Sequence, residues 1–436
     1  MSDPVRPVRG FNDVLPPASV HWRRIEAEAC AVLEGAGYGE IRLPLVESTA
    51  LFARSIGAAT DIVEKEMYSF DDRRGASLSL RPEATAGCVR AGITHGLFDG
   101  SQRRLWYRGP MFRHERPQKG RYRQFHQIGA EAFGMAGAAI EAELIALGAR
   151  LWKRLSLAKV TLKLNSLGSF EDRKRYRVLL VKYLEAHAAV LDADSKRRLT
   201  TNPLRIFDSK VAATREVLAG APRISDHLGT ESAVQFEELC ARLDTLNIGY
   251  RHDPFLVRGL DYYTGAVFEW STDALGAQDA ICSGGRYDGL VAELGGRATP
   301  AAGWALGMER LVLLAETEGV LEPPPGPDAY LVALGREAEH RALAISERLR
   351  DALPGLCLIV NAATGSLKAQ LRRADKSGAA FALILGKEEL AADTVSVKPL
   401  IGDGEQVSVA DDALATELAR RLPDLVKRQS AVENVE

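Results

Sequence analysis

Residues 105–133 read Leu105-Trp106-Tyr107-Arg108-Gly109-Pro110-Met111-Phe112-Arg113-His114-Glu115-Arg116-Pro117-Gln118-Lys119-Gly120-Arg121-Tyr122-Arg123-Gln124-Phe125-His126-Gln127-Ile128-Gly129-Ala130-Glu131-Ala132-Phe133. Two strand-like runs, 105–112 and 124–133, flank a short polar segment holding Pro117 and Gly120, the pattern of an antiparallel hairpin. In the return strand Phe125, Gln127, Gly129, Glu131 and Phe133 share one face, and Ile128, Ala130 and Ala132 share the other. An amide, a glycine and a carboxylate between two phenylalanines suit the floor of a polar pocket. Between residues 103 and 123, seven arginines (Arg103, Arg104, Arg108, Arg113, Arg116, Arg121, Arg123) and Lys119 stand against one acid, Glu115. Aromatic residues are interleaved with them, and an arginine-rich loop leaving a sheet suits contact with phosphate or nucleic acid.

Four further segments carry dense polar chemistry. Ser77–Leu80 alternates like a strand and runs through Arg81-Pro82-Glu83-Ala84 into a helix starting near Thr85. Glu83 at that junction suits either a helix cap or a holder for a substrate ammonium group, and spacing leaves both open. Arg258-Gly259-Leu260-Asp261-Tyr262-Tyr263 packs an arginine, an aspartate and two tyrosines beside glycines. Gly284-Gly285-Arg286-Tyr287-Asp288 allows close backbone approach to a ligand, or a tight turn. Gly303-Trp304-Ala305-Leu306-Gly307-Met308-Glu309-Arg310 reads as a strand and a helix with Arg310 in its first turn, where a cation is disfavoured unless it serves an anion. The chain has neither a P-loop nor a dinucleotide-binding glycine fingerprint.

The clearest seam is residues 322–327, where four prolines in five residues make a stiff linker. Before it, strand-like stretches at 41–43, 77–80, 105–112, 124–133, 160–164, 266–271, 280–282 and 303–306 predict an α+β domain over residues 1–321. Its sheet is mostly antiparallel and flanked by helices, with a charged helical insertion at about 166–250. After the linker, apolar strands alternate with helices, predicting a C-terminal α/β domain over 328–427 and a flexible tail over 428–436.

At 436 residues with 46% hydrophobic and 26% charged content, the chain can bury large cores. A formal charge of −2 excludes a wholly basic nucleic-acid coat protein, though not local basic patches. The five scattered cysteines form no close pair, which argues against a disulfide scaffold or a structural zinc site. The N-terminus lacks a signal-peptide stretch and no apolar run is long enough for a bilayer, so a cytoplasmic location and no membrane partner are expected.

These segments together resemble the bacterial histidyl-tRNA synthetases, a family of class II aminoacyl-tRNA synthetases. The resemblance rests on Arg9-Gly10-Phe11-Asn12-Asp13, Leu80-Arg81-Pro82-Glu83, Phe112-Arg113-His114-Glu115-Arg116, Arg121-Tyr122-Arg123-Gln124-Phe125 and the three glycine-bearing runs at 258–263, 284–288 and 303–310. One departure is Ala84, where the family usually has glycine. The resemblance implies that ATP, with Mg²⁺, and L-histidine give histidyl-adenylate and pyrophosphate, and that histidine then moves to the 3′ end of histidine tRNA. It implies no protein-bound metal. Arg113 would hold the α-phosphate, Arg258 would face it from the other side in the place of a metal ion, and Arg310 would take the terminal phosphates.

The resemblance likewise assigns Glu83 and Gln127 to the histidine ammonium, Glu131 and Tyr263 to the imidazole, and Tyr287 to closing the ring pocket, with Thr85 and Tyr262 beside them. Arg116, Gln118, Arg121 and Arg123 would meet the tRNA acceptor end, the post-linker domain would bind the anticodon, and the chain would form a homodimer. Residues 328–436 hold 14 Lys and Arg against 17 Asp and Glu, so net charge does not mark a nucleic-acid site there. Lys368, Arg372 and Lys376, with Arg373 beside them, do line up on one helix face. Arg173-Lys174-Arg175 and Lys196-Arg197-Arg198 are candidate tRNA contacts in the insertion. A rival from another class is a synthetase-like regulatory subunit that binds histidine and activates a phosphoribosyltransferase. Such relatives typically lack the C-terminal domain and the phosphate-contacting arginines, both of which this chain keeps. A plain RNA-binding module would not need Glu131, Tyr263 and the Gly284-Gly285 pair together.

Overall fold

The computed structural model describes residues 4–57, 60–276, 280–423 and 425, so the tail expected over 428–436 lies outside the described residues. The chain divides into two compact units, Met1–Glu322 and Pro323–Glu436.

The first unit contains eleven strands among the described residues: β1 (Gly39–Glu40), β2 (Val46–Ser48), β3 (Ser69–Asp71), β4 (Ser77–Leu80), β5 (Arg103–Phe112), β6 (Gln124–Phe133), β7 (Thr161–Ser166), β8 (Tyr250–His252), β9 (Thr264–Ser271), β10 (Ala280–Arg286) and β11 (Ala301–Gly307). Eight of them form one sheet in the order β1-β5-β6-β11-β10-β9-β7-β8. Only the outer pairs β1/β5 and β7/β8 are parallel. A small antiparallel sheet, β2-β4-β3, stands beside it.

The alternation in β6 explains how the large sheet is covered. Ile128, Ala130 and Ala132 are buried in one core with Ile25 and Ala29 of the helix Ala18–Glu34 and Leu144, Leu147 and Leu151 of the helix Ala138–Arg154. The opposite face, with Gln127, Gly129 and Glu131, is left for chemistry. The expected strand at 41–43 does not form. Ile41 still donates to the Trp106 carbonyl (2.8 Å), but Pro44 ends the run and the Arg81 guanidinium takes the Leu43 carbonyl (3.1 Å) that a strand partner would need. Between β7 and β8 lie the helices Phe170–Ala186, Ala193–Thr201, Ala212–Ala219 and Thr230–Thr245. Tyr176, Leu180, Leu184, Leu191, Ile206 and Leu218 form the interior shared by the first three, while Leu239 and Leu243 of Thr230–Thr245 join the core under the helix Ala138–Arg154.

The second unit has β12 (Ala329–Ala333), β13 (Leu358–Val360), β14 (Phe381–Leu385), β15 (Thr394–Pro399) and β16 (Val407–Ala410), in the order β13-β12-β14-β15-β16. The first three are parallel and the last two are added antiparallel. That antiparallel edge is absent from the sequence reading, because Ser396, Lys398 and Ser408 interrupt the apolar pattern.

Arg286 ties the sheet to its helical layer. Its guanidinium forks onto Glu141 (2.8 and 2.7 Å) and also donates to the carbonyls of Gly137 (2.8 Å) and Met135 (3.3 Å) and to Asp288 (3.0 Å). Arg286 and Glu141 are both almost fully buried. Removing one partner strands the other's charge, so Arg286→Ala is expected to cost about 3–5 kcal/mol of unfolding free energy. Replacing both by apolar residues, Arg286→Met with Glu141→Leu, is expected to recover most of it. Denaturant unfolding of the two variants checks this, and a loss below about 1 kcal/mol in the single variant would contradict it.

Candidate active site

A cavity of about 250 Å³ opens over the free face of the sheet, between the β5–β6 hairpin, the start of the helix Thr85–Thr94 and the loop before β9. Its lining includes Glu83, Thr85, Arg113, Arg121, Gln127, Arg258, Tyr262, Tyr263 and Arg310, which are far apart in sequence.

The deepest feature lies behind this lining. Glu131 is 1% exposed and accepts from Thr85 Oγ1 (2.6 Å), Tyr107 OH (3.0 Å) and Tyr287 OH. Tyr107 reaches it because its cross-strand neighbour is Gly129, where a Cβ would overlap the Tyr107 ring. Gly303 pairs with Glu131 itself, and a Cβ there would overlap the carboxylate. Next across the sheet, a Cβ at Gly285 would lie 2.6 Å from the Ala266 carbonyl oxygen and 3.0 Å from the Tyr263 ring. Burial pushes the Glu131 carboxyl up to about 8, against the pull of the hydroxyl donors. Tyr287 and Glu131 thus form the support behind the cavity wall, while Tyr262 and Tyr263 stand at the wall with their rings 4.7 Å apart.

Glu83 does cap its helix. Its two carboxylate oxygens accept from the amides of Thr85 and Ala86, both at 2.8 Å. It also lines the cavity, so the two uses left open by the sequence coincide in one side chain. Burial raises its pKa, with the amide donors and Arg113 pulling the other way. Ala84 sits at φ −110° and ψ −16°, a conformation open to any L residue, and is buried without strain. Gln127 projects from β6 into the cavity, and its Oε1 is buried with no partner in the described protein.

The cations sit on the rim. Arg113, at the end of β5, donates through Nε to the Pro82 carbonyl (2.9 Å) and stacks 5.2 Å from the centroid of the Phe125 ring. Arg258 enters from the loop before β9 and donates to Glu269 (2.9 Å). Burial pulls its pKa down and the Glu269 charge more than restores it, while its buried Nε has no partner in the described protein. Arg310 donates to the Ala280 carbonyl (2.7 Å) and the Gly120 carbonyl (3.3 Å), linking the hairpin to β10.

The four hairpin residues do not act alike. Gln118 and Arg121 exchange backbone hydrogen bonds (3.0 and 2.9 Å) that close the tip, leaving the Arg116 and Gln118 side chains exposed. Arg121 pairs with Glu115 and faces the cavity. Arg123 instead braces the N-terminal segment, donating to the carbonyls of Glu115 (3.3 Å) and Arg9 (3.4 Å), with Gly10 packed on its side chain. In the insertion, Arg173 and Arg198 turn inward to Asp261 O and Asp61, while Arg175 and Arg197 pair with Asp172 and Asp194. Sequence reasoning missed Tyr107, Glu269 and Glu309. Glu309 lines the cavity and accepts from the His126 amide (2.9 and 3.0 Å) and lies 3.0 Å from its ring Nδ1. For Glu269 a signal was available, a lone carboxylate inside the apolar run Val267–Trp270.

Residues 10–311 match the family model for histidyl-tRNA synthetase, and residues 328–421 match that of an anticodon binding domain. The chain is 35% identical to the apo histidyl-tRNA synthetase of S. aureus, with a TM-score of 0.80 over 95% of this chain and 99% of that one. The chain belongs to the histidyl-tRNA synthetase family. It is an ATP-dependent histidine–tRNA ligase. Two structures at 22% identity share the fold: a histidyl-tRNA synthetase from Nostoc sp. PCC 7120 (TM-score 0.69, covering 96% of this chain and 99% of that one) and an ATP phosphoribosyltransferase regulatory subunit/histidyl-tRNA synthetase from Bacillus halodurans C (0.62, 87% and 97%). The catalytic unit of the synthetase is built on the mostly antiparallel, helix-flanked sheet that the hairpin sequence predicts.

The Glu131 site gives the synthetase a pH signature. Its folded pKa lies above the unfolded carboxylate value, so the native chain keeps a proton that the unfolded chain releases. Stability therefore falls as pH rises from about 4.5 toward 8, by at most about 1.4 kcal/mol per pH unit for this one group. Unfolding free energies measured between pH 5 and 8.5 should decline less steeply in Glu131→Gln. Parallel curves for the two proteins would contradict the assignment.

Proposed function

We propose that the cavity over the sheet forms histidyl-adenylate with Arg113 and Arg258 as its two phosphate-facing cations. The observation that carries this reading is the pairing, in one cavity, of two half-buried guanidinium groups with an amide, a capped carboxylate and two tyrosines. A histidine carboxylate oxygen attacks the α-phosphorus in line, the bond to the bridging oxygen breaks, and pyrophosphate leaves. Charge builds on the α-phosphate oxygens, and the two guanidiniums neutralise it from opposite sides. Arg310 takes the terminal phosphates. Mg²⁺ arrives as part of the nucleotide substrate. Among the described residues no three His, Cys, Asp or Glu side chains gather as a metal-binding group.

Glu83 and the unpartnered Gln127 Oε1 hold the histidine ammonium, with Thr85 at the same wall. Tyr263 at the wall and Glu131 immediately behind it serve the two ring nitrogens, one as donor and one as acceptor, while Tyr262 encloses the ring and Tyr287 backs the site by holding Glu131. Such a paired readout rejects analogues that would leave a buried polar group unmatched. The exposed Arg116 and Gln118 at the hairpin tip meet the acceptor end of histidine tRNA, with Arg121 and Arg123 supporting the hairpin. The C-terminal unit receives the anticodon. We extend the reading to a homodimer formed through the catalytic unit and to a cytoplasmic location, both supported by the family resemblance. No helix among the described residues is long and apolar enough to cross a membrane.

Pyrophosphate exchange into ATP, run with each of the twenty amino acids, tests the chemistry. Exchange should occur with histidine alone and fall about 100- to 1,000-fold in Arg258→Ala. Histidine binding without exchange in the unaltered chain would overturn the adenylate reading in favour of a regulatory role.

The anticodon side is tested separately. Lys368, Arg372 and Lys376 are exposed on the helix Leu367–Lys376, opposite the buried Gln370 and Ala374. Arg373 instead folds back onto Asn361 (3.1 Å) and the Ala363 carbonyl (3.0 Å). Reversing the three exposed charges to Glu should raise the KM for tRNA about tenfold or more and reduce the salt dependence of binding, leaving pyrophosphate exchange unchanged. An unaltered tRNA KM would remove this face from the proposal.

A further inference from the structure

The loop that presents Arg258 has no regular secondary structure from Asp253 to Tyr263. Its backbone is pinned at intervals. Asn165 holds the Leu256 carbonyl (3.0 Å), and the Ile56 carbonyl accepts from the Asp261 amide (3.2 Å). Between those two points lies Arg258, whose own carbonyl accepts from Arg205 Nη1 (3.1 Å). Arg205 comes from the inserted helices, from the 3₁₀ turn Pro203–Asp208. Its side chain is only 12% exposed and pairs with Asp208 (3.0 Å). Gly259 leaves the approach open, since a Cβ there would come within 3.3 Å of Arg205 Nη1.

The surrounding contacts run the same way. Asn202 Nδ2 donates to Asp261 Oδ1 (2.7 Å), and Arg173 Nη1 donates to the Asp261 carbonyl (3.3 Å). Arg198 spans from Asp61 (2.6 Å) to the Arg205 carbonyl (3.0 Å). Of the basic residues that look from the sequence like nucleic-acid contacts, Arg173 thus grips the catalytic loop directly and Arg198 holds Arg205, which does. Each bond ends on Asp61, on Arg258, on Asp261 or on a residue that reaches one of them.

We propose that Arg205 is a positioning residue for adenylate formation: it fixes the Arg258 backbone, and so the place of the Arg258 guanidinium. The inserted helices then act as a brace for the catalytic loop, with Asn202 as a second, weaker hold. This rests on the reading of Arg258 as the α-phosphate cation. A displacement of about 1 Å at a reacting group costs on the order of 100-fold in rate, so loss of a backbone anchor should register mainly in kcat.

The test is histidine-dependent pyrophosphate exchange with the full chain. Arg205→Ala should lower kcat by about 10- to 100-fold while the KM for histidine changes by less than about threefold. Arg205→Lys, which keeps one donor within reach of the carbonyl, should recover most of the loss. In an Arg258→Ala background, Arg205→Ala should have little further effect, because the group it positions is gone. Asn202→Ala should give a smaller kcat loss in the same direction, and it carries the comparison if Arg205→Ala does not accumulate as folded protein. An unchanged kcat in the alanine variants, or an undiminished further loss in the Arg258→Ala background, would overturn the proposal. Absence of exchange in the unaltered chain, or full activity in Arg258→Ala, would instead overturn the reading of Arg258 on which it depends.

Discussion

A carboxyl group placed in the middle of a sheet and cut off from water needs hydrogen-bond partners in either protonation state, and Glu131 shows what that constraint demands of its neighbours. Three hydroxyls from three separate segments converge on it, from Thr85, Tyr107 and Tyr287. Two of the adjoining sheet positions must be glycine, because a side chain at Gly129 or Gly303 would occupy the space of Tyr107 or of the carboxylate itself. The glycine pattern of β6, β10 and β11 is therefore a consequence of what is buried over those strands. It gives the backbone no special freedom there, since none of Gly129, Gly285 and Gly303 has a positive φ.

The rest of the cavity follows from charge. Glu83 and Glu131 lie close enough that each raises the cost of ionising the other, and Glu83 relieves its own share by capping a helix with both oxygens. On the opposite side Arg113 and Arg258 also repel, and Glu269 stabilises one of them. In the proposed reading a zwitterionic amino acid with a basic ring complements the first end and a polyphosphate the second, so that binding and orientation would share one electrostatic origin.

Much of this was legible in the sequence, and the limits have a physical cause. Period-two alternation told which half of β6 faces the helices, because Ile128, Ala130 and Ala132 must leave water. The hairpin was legible because Pro117 and Gly120 interrupt two runs of similar length. Tyr107 was not, since its role depends on standing opposite Gly129, and that register joins positions 22 residues apart through a turn whose length alone does not set it. The strand at 41–43 failed for a similar reason. Besides the break at Pro44, its Leu43 carbonyl was claimed by Arg81, a long-range partner that no local pattern reveals.

The inserted helices carry the sharpest version of this difficulty. A run such as Lys196-Arg197-Arg198 looks alike whether its cations face solvent, a nucleic acid or another part of the chain. Which one holds depends on helical phase and on what lies across the gap. On the helix Ala193–Thr201, Arg197 faces Asp194 at the surface, while Arg198, one residue and about 100° further round, meets Asp61. The same phase argument separates Arg173 from Arg175 on the helix Phe170–Ala186. Buried guanidiniums facing backbone carbonyls have lost hydration, and that loss is offset to the extent that their donors find acceptors. The carbonyls of Arg258 and Asp261 are such acceptors. An irregular loop leaves them without strand partners, so the loop that needs bracing is also the one able to hold the braces.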